Sequence, residues 1–355
     1  MPAVSIDTFF ACALMVIAVL SAMAGTSTLL HPYINSAVDK NTAERYEEIS
    51  KYLLLNSGTP LNWGQNGSIK PETFGLAKMG TENPYELDID KVSRLNSESM
   101  QAMSYAELFT SIGLPDVAFR LEIKPVFEVF INLTATFPST DNTEYQFEIL
   151  TEKNGAPVPV YLKCYVIAEN YLSTTEVYVS GGKTRQNVTI SNNVHGPSLL
   201  AVLARSAYDA RIASSKVYAF AHKTAEPKPR GTFLRLSPLS YVLNASFAYP
   251  AVNLSSAYAL TFEYNSTLTQ KASDNGSATY EIPHFLDPSL MIIALTGWNS
   301  TAFFIEWVAY PQVPVQVGAD FAGFTSLSNV FAYMYVVTIN SAIFECTVWV
   351  GGPRD

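Results

Sequence analysis

The stretch FFACALMVIAVLSAMAGTSTLL, from Phe9 to Leu30, contains no charged side chain. At a rise of about 1.5 Å per residue, an apolar helix of this length covers the roughly 30 Å of bilayer hydrocarbon. A polar segment with helical periodicity follows it and ends at the turn residues 56–60, NSGTP. The N-terminus therefore predicts a helix that lies in a membrane or another apolar environment, with the rest of the chain facing water.

The helical pattern continues beyond this stretch. Lys40 with Glu44, and Glu47 with Lys51, are i,i+4 pairs of opposite charge. Pro32 interrupts the pattern, so we expect one kinked helix over residues 1–55, about fifty residues and roughly 75 Å long. A membrane anchor needs only the apolar half. The amphipathic half needs a surface to pack on, either its own head domain or neighbouring copies. Apolar residues recur here at helical spacing: Ile34, Val38, Tyr46, Ile49 and Leu53.

The apolar stretch differs from a cleaved signal peptide, because no Lys or Arg precedes it and it is longer than the usual core of about 7–15 residues. We therefore expect it to be retained. The distribution of Lys and Arg on the two sides of a membrane helix usually indicates its orientation. Here no Lys or Arg precedes the stretch, and Lys40 and Arg45 lie beyond its far end, so this distribution indicates almost nothing. We place the C-terminal part of the chain outside the cell because of its Asn-X-Ser/Thr triplets and its β-rich sequence. We therefore predict a cell-surface location with membrane anchoring through the N-terminal helix.

The composition excludes two classes of protein. The chain has 355 residues, of which 48% are hydrophobic and 15% charged, so it can build apolar cores and is not a disordered tail. Its net charge is −9 and its pI is about 5.0, and no Lys/Arg cluster is present that could neutralise a run of phosphates. We therefore expect no nucleic-acid partner.

The chain contains eight Asn-X-Ser/Thr triplets, all after the apolar stretch. With about a sixth of the residues being Ser or Thr, chance gives roughly three or four. The alternative is a Thr- and Asn-rich β protein with accidental triplets, but the excess favours N-glycosylation. The acceptor asparagines are Asn66, Asn132, Asn187, Asn244, Asn253, Asn265, Asn275 and Asn299.

The remaining sequence is typical of β structure. Residues 117–134 alternate between apolar and polar side chains, which predicts a strand or a pair of strands broken near Pro125. Short strand-like runs then recur about every ten residues, a spacing typical of immunoglobulin-like sandwiches. We predict an α+β fold with a long N-terminal helix (1–55), a mixed connector (56–143), an Ig-like β-sandwich (144–225) and a second β-sandwich (231–355).

We find no catalytic, cofactor-binding or metal-binding motif in the sequence. None of the histidines has a partner at metal-ligand spacing, and no nucleophile elbow or phosphate-binding loop is present. Asp88 and Asp90 lack the further oxygens of a calcium loop, so helix capping explains them better. Cys164 and Cys346 are compatible with one disulfide or with two free thiols. The four tryptophans fit either core packing or a sugar-binding face.

The N-terminal plan resembles that of type IV pilins and their archaeal relatives. In that family an apolar, often proline-kinked helix lies in the membrane before assembly, and then bundles with other copies beneath a β-rich head. Pro32 and the carboxylate of Asp7, just before the apolar stretch, match this plan. The resemblance implies assembly contacts at Asp7, Phe9, Phe10 and Pro32.

The sequence after the helix resembles archaeal surface proteins with pilin-like N-termini. Three motifs carry this resemblance: LLLNSGTPLNWG (53–64), DKVSRLN (90–96) and SYAELFTSIGL followed by FRLEI (104–123). Together the two resemblances predict a non-enzymatic structural subunit of an archaeal cell-surface filament, a homo-oligomer with its helices in the core and glycosylated β domains outside. The alternatives are a singly anchored surface glycoprotein or adhesin with a surface or glycan ligand, and an anchored exoenzyme.

Overall fold

The structure is a computed structural model, and it describes residues 15, 19, 23, 40–224, 226–249, 252–285, 287–288, 290–300, 302–321 and 329–352. Residues 40–55 form helix α1 within this part. Short helices and two strands follow: the 3-10 turn Trp63–Gln65, β1 (Glu86–Leu87), α2 (Ile89–Ser93), α3 (Tyr105–Ile112) and β2 (Ala118–Pro125).

Strands make up nearly all the regular structure after residue 117. The next eight are β3 (Glu128–Pro138), β4 (Asn142–Lys153), β5 (Ala156–Pro157), β6 (Val160–Ala168), β7 (Tyr171–Val179), β8 (Lys183–Ser191), β9 (Gly196–Ser206) and β10 (Ala213–His222). Eight more are β11 (Leu234–Leu239), β12 (Val242–Phe247), β13 (Val252–Leu260), β14 (Asn265–Thr267), β15 (Thr269–Ser273), β16 (Ser277–Glu281), β17 (Met291–Asn299) and β18 (Ala302–Tyr310). The last three are β19 (Val315–Gly318), β20 (Asn329–Ile339) and β21 (Ala342–Gly352).

The two ends of the described chain fold together into what we call the base unit, residues 40–125, 313–321 and 329–352. Its sheet has the strand order β1-β20-β21-β2-β19. The alternating side chains of β2 and β21 bury Leu121, Ile123 and Phe344 on the inner face, against Leu53 and Leu54 of α1. Hydrophobic burial over this face holds α1 on the sheet.

The middle unit, residues 126–222, consists of two sheets that face each other across one core. One sheet has β4 between β3 and β8, with β5 pairing at the end of β4, and the other has the order β10-β9-β6-β7. The third unit, residues 232–310, pairs the sheets β11-β12-β16-β15 and β14-β13-β17-β18 in the same way. Each unit therefore has its own apolar core.

A further apolar core joins the middle unit to the third unit. It lies between the sheet containing β9 and the sheet containing β17, and it includes Leu199, Leu203, Ile292 and Phe303. Both sheets are thus covered on two faces, and four sheets stack in layers. This explains why β9 and β17 have nearly continuous apolar sequences, which strands buried on one face do not have.

The predicted fold class, a long N-terminal helix followed by two β-sandwiches, is wrong. The described chain is predominantly β and divides into five sheets, and its helices are short. The C-terminal hairpin of β20 and β21 does not complete a second sandwich. It pairs with β2, more than 200 residues earlier in the chain, where Phe119 lies opposite Val350. Local hydrophobic periodicity carries no information about such a distant partner.

The predicted transmembrane, pilin-like stem and the predicted location, a cell-surface protein anchored by an N-terminal helix, are also wrong. None of the described helices is long and apolar enough to cross a bilayer. Helix α1 extends for sixteen described residues, or about 24 Å, and it carries Lys40, Glu44, Arg45, Glu47, Glu48 and Lys51. The predicted assembly residues Asp7, Phe9, Phe10 and Pro32 lie outside the described residues.

Candidate functional site

Two of the motifs that carry the archaeal resemblance meet in a charged centre inside the base unit. The indole of Trp63 is fully buried, and its Nε1 donates to the carbonyl oxygen of Gly75 at 3.2 Å. The side chains of Lys91 and Arg94 lie against the same ring, 5.9 and 5.5 Å from its centroid. These distances are within the range of cation–π interaction. We call these three residues, with Asp88 and Asp90, the charged centre.

Lys91 is fully buried and bonded to the main chain. Its Nζ donates to the carbonyl oxygens of Ser57 at 2.8 Å and Ala77 at 2.9 Å, and so joins the turn after α1 to the segment before β1. Burial lowers the pKa of Lys91, and the nearby carboxylate of Asp88 partly opposes this. Because the ammonium group is bound to main-chain oxygens, its role here is structural.

Arg94 gathers the loop that follows Trp63. Its guanidinium is buried, with 2% of the residue exposed, and burial lowers its pKa. Five main-chain carbonyl groups accept its hydrogen bonds, so a single side chain fixes the course of a loop that has little regular structure. The accepting carbonyl groups belong to Trp63, Asn66, Gly67, Ile69 and Gln101.

The two aspartates of the charged centre have different roles. Asp88 caps α2, since its Oδ1 accepts hydrogen bonds from the main-chain N–H groups of Asp90 and Lys91. Asp90 is 4% exposed and contacts the third unit, where it accepts from the N–H of Ser240 at 2.9 Å and from the hydroxyl of Tyr310 at 2.7 Å. Burial raises the pKa of Asp90, and these hydrogen bonds oppose the shift. Asp90 thus joins the base unit to the third unit.

A buried ion pair joins the middle and third units. Arg205 on β9 contacts Asp287 at 2.6 Å and Glu263 at 2.5 Å, and its guanidinium lies 4.1 Å from the ring centroid of Phe262. Asp287 is 3% exposed and also accepts from the main-chain N–H of Glu263 at 2.8 Å. This pair and the charged centre hold the three units together through polar contacts.

All eight predicted glycan acceptors are accessible. Asn244 and Asn299 are half-buried and the other six are exposed. Two lie in the middle unit and five in the third unit, whereas Asn66 lies in a loop of the base unit. Asn66 and Asn244 line one cleft of about 550 Å³. The strands of the base sheet carry no acceptor.

The base sheet instead presents an apolar edge. β20 pairs with β21 along its whole length, but on its other side the described chain provides only β1, opposite Thr338 and Ile339. Residues 329–337 therefore lack a partner strand on that side among the described residues. Met334 and Val336 on this strand are 74% and 66% exposed.

The two described cysteines and the tryptophans are mainly packing residues. Cys164 and Cys346 are free and lie in different cores, and burial raises the pKa of each thiol to about 12. Trp63 is buried in the base core, whereas Trp298, Trp307 and Trp349 are half-buried. In the described part of the chain, no three His, Cys, Asp or Glu side chains lie close enough together to hold a metal ion.

Sequence reasoning missed the charged centre. It identified the cap at Asp88 but assigned no role to Lys91 and Arg94, because charged residues in a short helix ordinarily face water. The available signal was their spacing of three, beside Val92 and Leu95 in the same motif. Comparison with known proteins adds nothing to the geometry, since no protein-family model and no curated protein matches the chain.

Proposed function

We propose that this protein is a non-enzymatic, N-glycosylated structural subunit that associates with copies of itself through the base sheet. The observation that carries the proposal is that the predicted glycan acceptors and the base sheet lie on different parts of the protein. Seven of the eight acceptor asparagines lie on the middle and third units, and the strands of the base sheet carry none. Bulky, hydrated glycans obstruct protein contacts, so the surface without acceptors is the one suited to association.

The β20 edge has the properties of an association site. Natural proteins protect edge strands with charges, prolines or short length. Other edges of this protein follow that rule, with exposed Glu176 on β7, Lys216 on β10 and Lys271 on β15. Residues 330–339 of β20, VFAYMYVVTI, contain neither a charged residue nor a proline. Helix α1 packs on one face of this strand, against Phe331, Tyr333 and Tyr335, but Met334 and Val336 on the other face are exposed. An apolar edge of this length without a partner strand among the described residues is a site for pairing with another strand.

A second copy of the chain is the partner that suits this edge. Two β20 strands can pair antiparallel about a two-fold axis, and each then supplies the main-chain donors and acceptors that the other lacks. Neither strand has a charge to repel its equivalent. Such a contact closes into a dimer. The filament and the archaeal source expected from the resemblance stay predictions.

The test compares two lysine substitutions in the full-length chain by sedimentation velocity. Met334→Lys places a charge on the proposed contact and is expected to weaken association about tenfold or more. Met79→Lys adds the same charge at another exposed methionine of the base unit, 56% exposed, and is expected to leave association unchanged. A wild-type chain that stays monomeric at high concentration, or two variants that associate equally well, would refute the proposal.

Glycosylation is tested separately by peptide mass spectrometry of protein purified from its native source. The expected result is glycan mass on peptides of the middle and third units. Unmodified asparagines at all eight positions would remove the glycoprotein half of the proposal and leave the β20 contact to be judged by sedimentation alone.

A further inference from the structure

A large cleft lies between the base unit and the third unit. The turn 96–100 of the base unit forms one wall, and β11 and β18 of the third unit form the other. Its volume is about 920 Å³, within the range of clefts that bind small organic ligands. It is separate from the β20 edge and contains none of the predicted glycan acceptors.

One buried polar group in this cleft lacks a partner. Gln312 is 5% exposed and its main chain is fixed, since its N–H donates to Ser93 Oγ at 3.2 Å and its carbonyl oxygen accepts from Asn96 Nδ2 at 2.9 Å. The side-chain Nε2 has no hydrogen-bond partner among the described residues. Buried amide groups are nearly always paired, and an exception requires an explanation. The amide nitrogen itself is fully buried, so an acceptor in the cleft reaches it only when the side chain turns towards the cleft.

The charges of the cleft favour an anion. Three charged residues line it: Glu98, Arg230 and Arg235. Glu98 forms an ion pair with Arg230. Arg235 is exposed, and no carboxylate of the described chain pairs with it. The cleft therefore has one cationic group available for a ligand, in a protein whose net charge is −9.

We propose that this cleft binds a sugar that carries a carboxylate, such as a uronic acid. The Arg235 guanidinium presents paired N–H donors that match a carboxylate. Once its side chain turns towards the cleft, the Gln312 carboxamide donates to a hydroxyl or ring oxygen of the sugar. The half-buried indole of Trp307 lines the same cleft and offers apolar surface to the C–H groups of a sugar ring. The binding site does not depend on self-association.

The first test measures binding of D-glucuronate and D-glucose to the full-length chain by isothermal titration calorimetry. Glucuronate is expected to bind about tenfold or more tightly than glucose, because only glucuronate has the carboxylate. Arg235→Gln is expected to reduce glucuronate affinity to that of glucose. Arg185→Gln, at an exposed arginine on β8 outside the cleft, is the matched control and is expected to bind like the wild type.

The second test separates binding from folding. Gln312→Leu replaces the unpaired amide by an apolar side chain of similar size, so the melting temperature is expected to rise by a few degrees. The same change is expected to weaken the binding of both sugars. If this variant does not fold, Arg235→Gln decides the matter alone. Absence of glucuronate binding to the wild type, or equal affinity in the wild type and Arg235→Gln, would overturn the proposal and leave a cleft filled by water.

Discussion

Replacing Asp90 by leucine is expected to loosen the contact between the base unit and the third unit. The change leaves two donors without acceptors, the N–H of Ser240 and the hydroxyl of Tyr310, which now bond to the carboxylate at 2.9 and 2.7 Å. A buried donor without an acceptor costs about 1–3 kcal/mol. Because removing the buried carboxylate also removes its desolvation penalty, we expect a net loss of about 3 kcal/mol.

Asp90→Asn is the matched variant, since it keeps an acceptor oxygen and removes the charge. Burial raises the pKa of Asp90 above its unfolded value. In the window between those two pKa values the folded state binds more protons, so the stability of the wild type falls as the pH rises through it. We therefore expect Asp90→Asn to be more stable than the wild type at neutral pH, and the two to converge as the pH falls below the unfolded pKa.

The assay is hydrogen exchange of the amide of Ser240, which is the donor to Asp90, followed by mass spectrometry at neutral pH. This local measurement is preferable to one melting temperature, because a protein of three units need not unfold in a single step. Exchange is expected to be fastest in Asp90→Leu and slowest in Asp90→Asn. If the leucine variant protects this amide as well as the asparagine variant, Asp90 does not hold the two units together.

Three further outcomes follow from other contacts. Arg205→Ala is expected to lower the free energy of unfolding in urea by about 3–5 kcal/mol, because it leaves the buried carboxylate of Asp287 without its partner. The double variant Arg205→Met with Asp287→Leu removes both charges and is expected to regain most of that loss. Glu107→Ala breaks the capping box of α3 and is expected to cost about 1 kcal/mol near neutral pH. Hydrogen bonds from Lys70 and then from Ser104 lower the pKa of Glu107 to about 2, so the difference between this variant and the wild type should shrink as the pH falls from 4.5 towards 2. Cys164 and Cys346 are expected to resist iodoacetamide in the folded protein and to react once the protein is unfolded in denaturant, as peptide mapping would show. Labelling of either of these two cysteines in the folded protein would contradict its burial.

Local features of the fold could be predicted from the sequence. The alternation over residues 117–134 indicated either one strand or a pair of strands broken near Pro125, and the structure has the pair, with β2 ending at Pro125 and β3 beginning at Glu128. Residues 104–107, SYAE, have the pattern of a capping box, and the structure has that box at Ser104 and ends α3 at Gly113, whose φ is 72°. These signals depend on a few neighbouring residues, so one sequence is enough to show them.

The partners of the strands could not be predicted in this way. β20 and β21 form a hairpin that turns at Asn340 and Ser341, which both have positive φ. Nothing in those strands indicates that the other side of β21 pairs with β2. The buried positions of Lys91 and Arg94 were hidden for the same reason, because their acceptors lie in loops that come close only in the folded base unit.

The topology gives a physical reason for the charged centre. The middle and third units are inserted between β2 and β19, so the base sheet closes only when two distant parts of the chain meet. The entropy cost of bringing these two parts together rises slowly with the length of chain between them. Each inserted unit has a core of its own, so once it has folded less flexible chain remains between β2 and β19. The segment between α1 and β2 must still hold its shape to receive β21, and it has little regular structure. Lys91 and Arg94 supply that order by bonding to its carbonyl groups, and Asp90 attaches the same segment to the third unit, which is covalently continuous with β19.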